Sequence, residues 1–241
     1  MVVLLVLLPL VCWLWIVVLA RDMYGPMTGA SAWMMTPVWD APHLLLLWAM
    51  WAVMMIAMML PAASPMVLLA GSGTRRQGGS GAASTGALLA LGYITVWAVF
   101  SVGATAVQWW LMRLHVVTPM MEMSSRRAGA VLLILAGFYQ FTPLKRACLT
   151  ACRSPLAFVM RRWRSGPMGA VRMGLEHGVH CAGCCWALML LLFAGGVMNL
   201  AVIAALTVFV AFEKLAPLGP ASTRVSGAAL LALGGWMLFA P

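Results

Sequence analysis

"HGVHCAGCCWALMLLLFAGG", residues 177–196, sets two histidines and three cysteines at the head of an unbroken apolar run. In a helix of ~100° per residue that already includes His177, the side chains of His177, His180, Cys181, Cys184 and Cys185 share an arc of about 140°. The apolar run behind them reads as a helix buried in protein or lipid. One segment therefore predicts both a membrane-type helix and a face of metal-seeking side chains.

The rest of the chain extends the first half of that reading. Hydrophobic residues make up 64% of the sequence and charged residues 8%, against roughly 25% charged in soluble domains. Mean hydropathy is +0.99. The expected fold is all-α: a polytopic transmembrane helix bundle, one integral membrane domain over 1–241, with about seven spanning segments at 3–20, 44–69, 84–111, 128–144, 171–196, 198–216 and 225–241. Segment 3–20 lacks the basic start of a signal peptide and is taken as a helix. The net charge of +10 has no soluble basic domain to serve, so it points to topology and not to nucleic acid. A cytoplasmic amino terminus puts most Lys and Arg on inner loops and predicts a multi-pass protein of the cytoplasmic (inner) membrane, with the lipid bilayer as its first partner. Residues 71–84, rich in Gly and Ser, are expected as a flexible cytoplasmic loop. Residues 145–169 are expected as a basic cytoplasmic loop, partly helical before Pro155 and lying against anionic headgroups.

The second half concerns ligands. Cys148 and Cys152, spaced i and i+4 at the inner end of the fourth segment, face the same boundary as His177, Cys181, Cys184 and Cys185. Thiols on a reducing side are metal ligands or redox groups sooner than structural disulfides, and a cation tying them together rationalises their burial. Cys12, alone in the first segment, reads as packing. Thiolate and thioether donors favour copper as Cu(I), whereas a tetrahedral Cys and His set suits zinc, the alternative. Methionine is abundant, at 21 residues. Met54 with Met58, and Met55 with Met59, form ladders beside Pro61, which serve as gap-filling core or as soft ligands. With the outer Met120, Met121 and Met123, and Met23, Met27, Met34 and Met35, they sketch a graded route for Cu(I). Asp40, His43 and His115 read as outer caps or as ligands for a borderline ion. Glu213 beside Lys214 reads as an interfacial ion pair or snorkelling, and Glu176 as an acceptor orienting His177.

Four motifs, "AMMLPAASPM" (57–66), "YQFTPLKRACLTACRSP" (139–155), "HGVHCAGCCWALMLLLFAGGVMNL" (177–200) and "EKLAP" (213–217), resemble a bacterial family described as predicted metal-binding integral membrane proteins. By that resemblance Met58, Met59, Pro61, Tyr139, Gln140, Lys145, Cys148, Cys152, His177, Cys181, Cys184, Cys185, Trp186, Met198, Asn199, Glu213 and Lys214 fall on the family pattern. His180 and His43 fall outside it.

The expected function is binding of a soft metal for acquisition, transfer or delivery, with metal-donor or metal-acceptor proteins or a larger membrane complex as partners. Three alternatives stand beside it. A thiol-disulfide oxidoreductase would use Cys181 and Cys184 as a C-x-x-C at a helix start. A copper-dependent membrane enzyme would need an open coordination position. A zinc-stapled subunit of a membrane complex would need neither. No phosphate-binding Gly loop is present to support ATP-driven pumping.

Overall fold

The computed structural model describes residues 2–36, 39–76, 81–216 and 220–239. Among them all regular structure is helical, apart from one isolated β-bridge between Val117 and Met123. The helices are α1 (Val2–Met23), α2 (Ala30–Met34), α3 (Ala41–Arg76), α4 (Ala82–Arg113), α5 (Arg126–Gln140), α6 (Pro143–Arg153), α7 (Pro155–Arg162), α8 (Pro167–Gly195), α9 (Leu200–Leu215) and α10 (Pro220–Phe239).

Seven full spans were expected; among the described residues four helices, α1, α3, α4 and α8, are long and apolar enough to cross a membrane, or five if the bent pair α5 and α6 counts as one span. The shortfall has a physical cause. At 15 and 16 residues, α5 and α9 rise only about 22–24 Å at ~1.5 Å per residue, less than the ~30 Å hydrocarbon core. The fourth expected segment ends early because Pro143 cannot continue α5. It instead opens α6, where the Thr142 side chain accepts a hydrogen bond from Lys145 N at 3.2 Å, a Thr cap followed by Pro at the first helical position. The axis turns by 68° there. Residues 145–169, expected as a loop, thus carry most of α6 and all of α7. The 71–84 connection is shorter than expected, since α3 continues to Arg76 and α4 begins at Ala82.

Helix α8 lies against α4, α5 and α6, while α3 packs on α4, α1 and α9. The α4–α8 contact is built on glycines: a Cβ at Gly92 would run into the Val171 carbonyl oxygen, and one at Gly174 into that of Leu89. Small residues let two helix backbones approach closely. Helix α3 is pinned to α4 by Trp51, whose indole N–H donates to Gln108 Oε1 at 2.7 Å. Outside, α1 exposes Val2, Val3, Leu4, Val6, Leu7, Leu10, Val11, Leu14 and Val18, a face that water would not favour.

The buried charged groups around the end of α9 are paired. Lys145, expected in a solvated loop, is fully buried and donates to Glu213 Oε2 at 2.7 Å. Ser226 of α10 donates to Glu213 Oε1 at 3.1 Å, and Arg153 Nε to the Glu213 carbonyl at 2.7 Å. The expected pairing of Glu213 with its neighbour Lys214 is therefore replaced. Adjacent residues on a helix point about 100° apart, which sends these two into different interfaces. Removing one partner of a buried ion pair strands the other charge, so Lys145→Met is expected to destabilise the protein by about 3–5 kcal/mol. The double change Lys145→Met with Glu213→Leu should recover most of that loss in thermal unfolding of detergent-purified protein.

Candidate metal centre

Because α8 starts at Pro167, His177 through Cys185 forms two continuous helical turns, and Cys181, Cys184 and Cys185 are all buried. The Cys184 and Cys185 thiols donate to the Cys181 carbonyl oxygen at 3.1 and 2.8 Å, which folds them back along the helix. From α3, Met59 Sδ comes within 3.9 Å of Cys185 Sγ. From α6, Cys152 Sγ comes within 3.9 Å of Cys184 Sγ. Cys148, one turn earlier on α6, sits against Gly183, where an added Cβ would lie 2.7 Å from its sulfur. A side chain at Gly183 would push the Cys148 thiol aside, so glycine there leaves that sulfur room against α8. The two cysteine groups, expected at one boundary, approach each other, with Cys148 and Cys152 reaching α8 from a separate helix and not from the end of the fourth span.

Two residues that the sequence did not flag as part of this cluster complete it. Tyr93 of α4 is buried, with its hydroxyl 2.9 Å from Cys181 Sγ and 3.1 Å from the Met59 carbonyl oxygen. Lys214 of α9 donates to Cys181 Sγ at 2.8 Å and lies 3.8 Å from Met59 Sδ. The signal for Tyr93 was a phenol in the middle of a mostly apolar segment, since a buried hydroxyl needs a partner. For Lys214 the signal was the same kind: a charge within a strongly apolar segment.

His177, one turn before Cys181, packs between the rings of Tyr93 and Phe158, with centroids 5.8 and 5.3 Å away, and its Nδ1 has no hydrogen-bond partner. Glu176 does not orient it. That carboxylate instead meets Arg164 at 3.0 Å, Arg162 at 3.5 Å and Arg172 at 3.6 Å. His180 turns its Nδ1 to the Glu176 carbonyl at 2.7 Å and stays half-buried, beside a cavity of about 360 Å³ that Arg161 and Arg162 also line. Met54 and Met58 are buried in the core along α3. At the amino end of α3, Asp40 caps the helix by accepting from His43 N at 3.0 Å, and the His43 ring nitrogen Nε2 lies 3.0 Å from the Met34 carbonyl oxygen.

All six cysteines are free thiols. Among the described residues no three His, Cys, Asp or Glu side chains are already gathered around one metal position. What is assembled is a mixed set of thiols and a thioether with a lysine among them, which suits a soft cation of low coordination number better than tetrahedral zinc. Cys181 also lies well inside α8, so the C-x-x-C does not sit at a helix N-terminus and gains no activation from the dipole there.

The family model for the PpoB2 copper chaperones matches residues 48–237. The chain belongs to this family. The match begins inside α3 and ends inside α10, and so takes in Met59, Tyr93, Lys214 and every cysteine except Cys12. No curated protein and no solved structure matches the chain.

Burial orders the thiols. In native, reduced protein the half-buried Cys148 and Cys152 are expected to be alkylated first, and Cys12, Cys181, Cys184 and Cys185 only after unfolding. Peptide mass spectrometry after timed maleimide treatment reads this directly.

Proposed function

We propose that the protein is an integral membrane copper chaperone that holds Cu(I) on the sulfur cluster of Cys181, Cys184, Cys185, Met59 and Cys152 and passes it on by ligand exchange. The observation that carries this reading is the meeting of sulfurs from three helices, α3, α6 and α8, in one buried patch. Membership of a copper chaperone family supports the choice of metal. Thiolate with thioether is the donor set that favours Cu(I). The ion is cargo here: no open coordination position is needed, because one sulfur can take hold as another lets go.

Half-buried Cys148 and Cys152 stand at the edge of the cluster and serve as the exit toward an acceptor protein, while the free Nδ1 of His177 is available as an additional donor. The buried Met55, one turn before Met59, continues the soft-ligand face along α3, while Met54 and Met58 are buried on another face of the same helix. The aliphatic exterior of α1 and the four long apolar helices support placement in a bilayer. In a bacterial inner membrane the distribution of Arg and Lys favours an amino terminus and a thiol cluster on the cytoplasmic side.

The test is metal analysis of detergent-purified protein kept reduced and oxygen-free. Wild type is expected to retain close to one Cu(I) per chain against a chromogenic Cu(I) chelator, and the variant with Cys181→Ser, Cys184→Ser and Cys185→Ser to retain none. Wild-type protein that holds no Cu(I), or that prefers Zn(II), would sink the proposal. Cys148→Ser should keep the bound copper and slow its transfer to an acceptor thiol.

A further inference from the structure

The chain has two lysines, and both are buried. Lys145 is balanced by Glu213. Lys214 has no carboxylate partner among the described residues; its ammonium lies 2.8 Å from Cys181 Sγ and 3.8 Å from Met59 Sδ. An ammonium removed from water requires a counter-charge, and the touching group able to supply one as a thiolate is Cys181. The lysine nitrogen therefore occupies the place that a cation bridging Cys181 and Met59 would take.

We infer that Lys214 is the resident cation of this site and exchanges one for one with Cu(I), an inference that rests on the reading of the cluster as a Cu(I) site. As Cu(I) enters between Cys181 Sγ and Met59 Sδ, the ammonium leaves for the aqueous boundary; as copper departs, it returns. The charges balance at each stage. Thiolate with ammonium sums to zero, and so does thiolate with Cu(I) and a neutral thioether. The lysine keeps its proton and the metal keeps its oxidation state. A divalent ion making the same exchange would leave a positive charge buried unless a second thiol also gave up its proton, so the exchange favours soft monovalent ions over Zn(II). It also removes the obstacle to release, because copper can depart without stranding a bare thiolate in a low-dielectric interior.

The geometry permits the movement. Lys214 is the penultimate residue of α9, next to the exposed Leu215, and a four-carbon stem can carry its ammonium outward from such a position. The preceding residue is held by Lys145, Ser226 and Arg153, which keeps the helix end in place while the side chain swings.

Having two lysines makes the test clean. Wild-type protein in detergent is treated with an amine-reactive ester in three states, metal-free, with one equivalent of Cu(I) and with one equivalent of Zn(II), and each lysine is scored by peptide mass spectrometry. Lys214 is expected to pass from unmodified to modified with Cu(I), and with Ag(I) as a redox-inert surrogate. It should stay unmodified with Zn(II), and Lys145 should stay protected throughout. Bound Cu(I) with Lys214 still protected would overturn the exchange, as would a Lys214 that already reacts in metal-free protein. Exposure of both lysines together would also overturn it, showing the bundle opening and not a side-chain swing. Unmasking by Zn(II) would overturn the selection by charge. Failure of the wild type to bind Cu(I) at all would instead remove the copper reading on which the exchange depends.

Discussion

At the carboxyl end of α9, Glu213 and Lys214 stand side by side and neither reaches for the other. Each is buried, and a buried charge must find an opposite one or be given up. Glu213 meets Lys145 of α6 at 2.7 Å, while Lys214 meets the Cys181 sulfur of α8 at 2.8 Å. These two pairings tie α9 to the two helices that carry the thiols. They also explain why a lysine, a residue costly to remove from water, lies among sulfurs.

The remainder of the architecture serves that junction. Glycines at the α4–α8 crossing bring the two backbones close enough for Tyr93 to reach Cys181. Gly183 leaves room for the Cys148 sulfur, and the proline-started α6 turns away from α5 at the angle that lays its thiols along α8. Helix α3 contributes Met59 beside Pro61, where a helix in protein surroundings tolerates a missing hydrogen bond. A donor set drawn from so many helices is sensitive to their mutual positions, which suits the release of an ion that we propose for it as well as its capture.

Chemically the centre differs from a structural metal site. A zinc staple gathers four ligands and closes around the ion. Here the sulfurs are spread in a chain, Cys152 to Cys184 on one side and Cys185 to Met59 on the other, with an ammonium between Cys181 and Met59. The arrangement favours handing over a soft ion between neighbouring donors, in keeping with a copper chaperone family.

Much of this was legible along the chain. Long apolar runs foretold an all-helical protein, and the spacing of Cys181, Cys184 and Cys185 put them on one face, because that depends only on local helix geometry. Local rules also contained the α5–α6 break, in Thr142 followed by Pro143, a signal outweighed by the long apolar stretch around it. What could not be read was which charge meets which. Glu213 and Lys214 are neighbours in sequence, yet their partners lie 68 and 33 residues away. Tyr93, 88 residues from Cys181, gave no hint that its hydroxyl would touch that sulfur. Residue order sets the helices and their faces; the choice of partner for each buried charge came from the packing of those helices, because burial is what makes pairing compulsory.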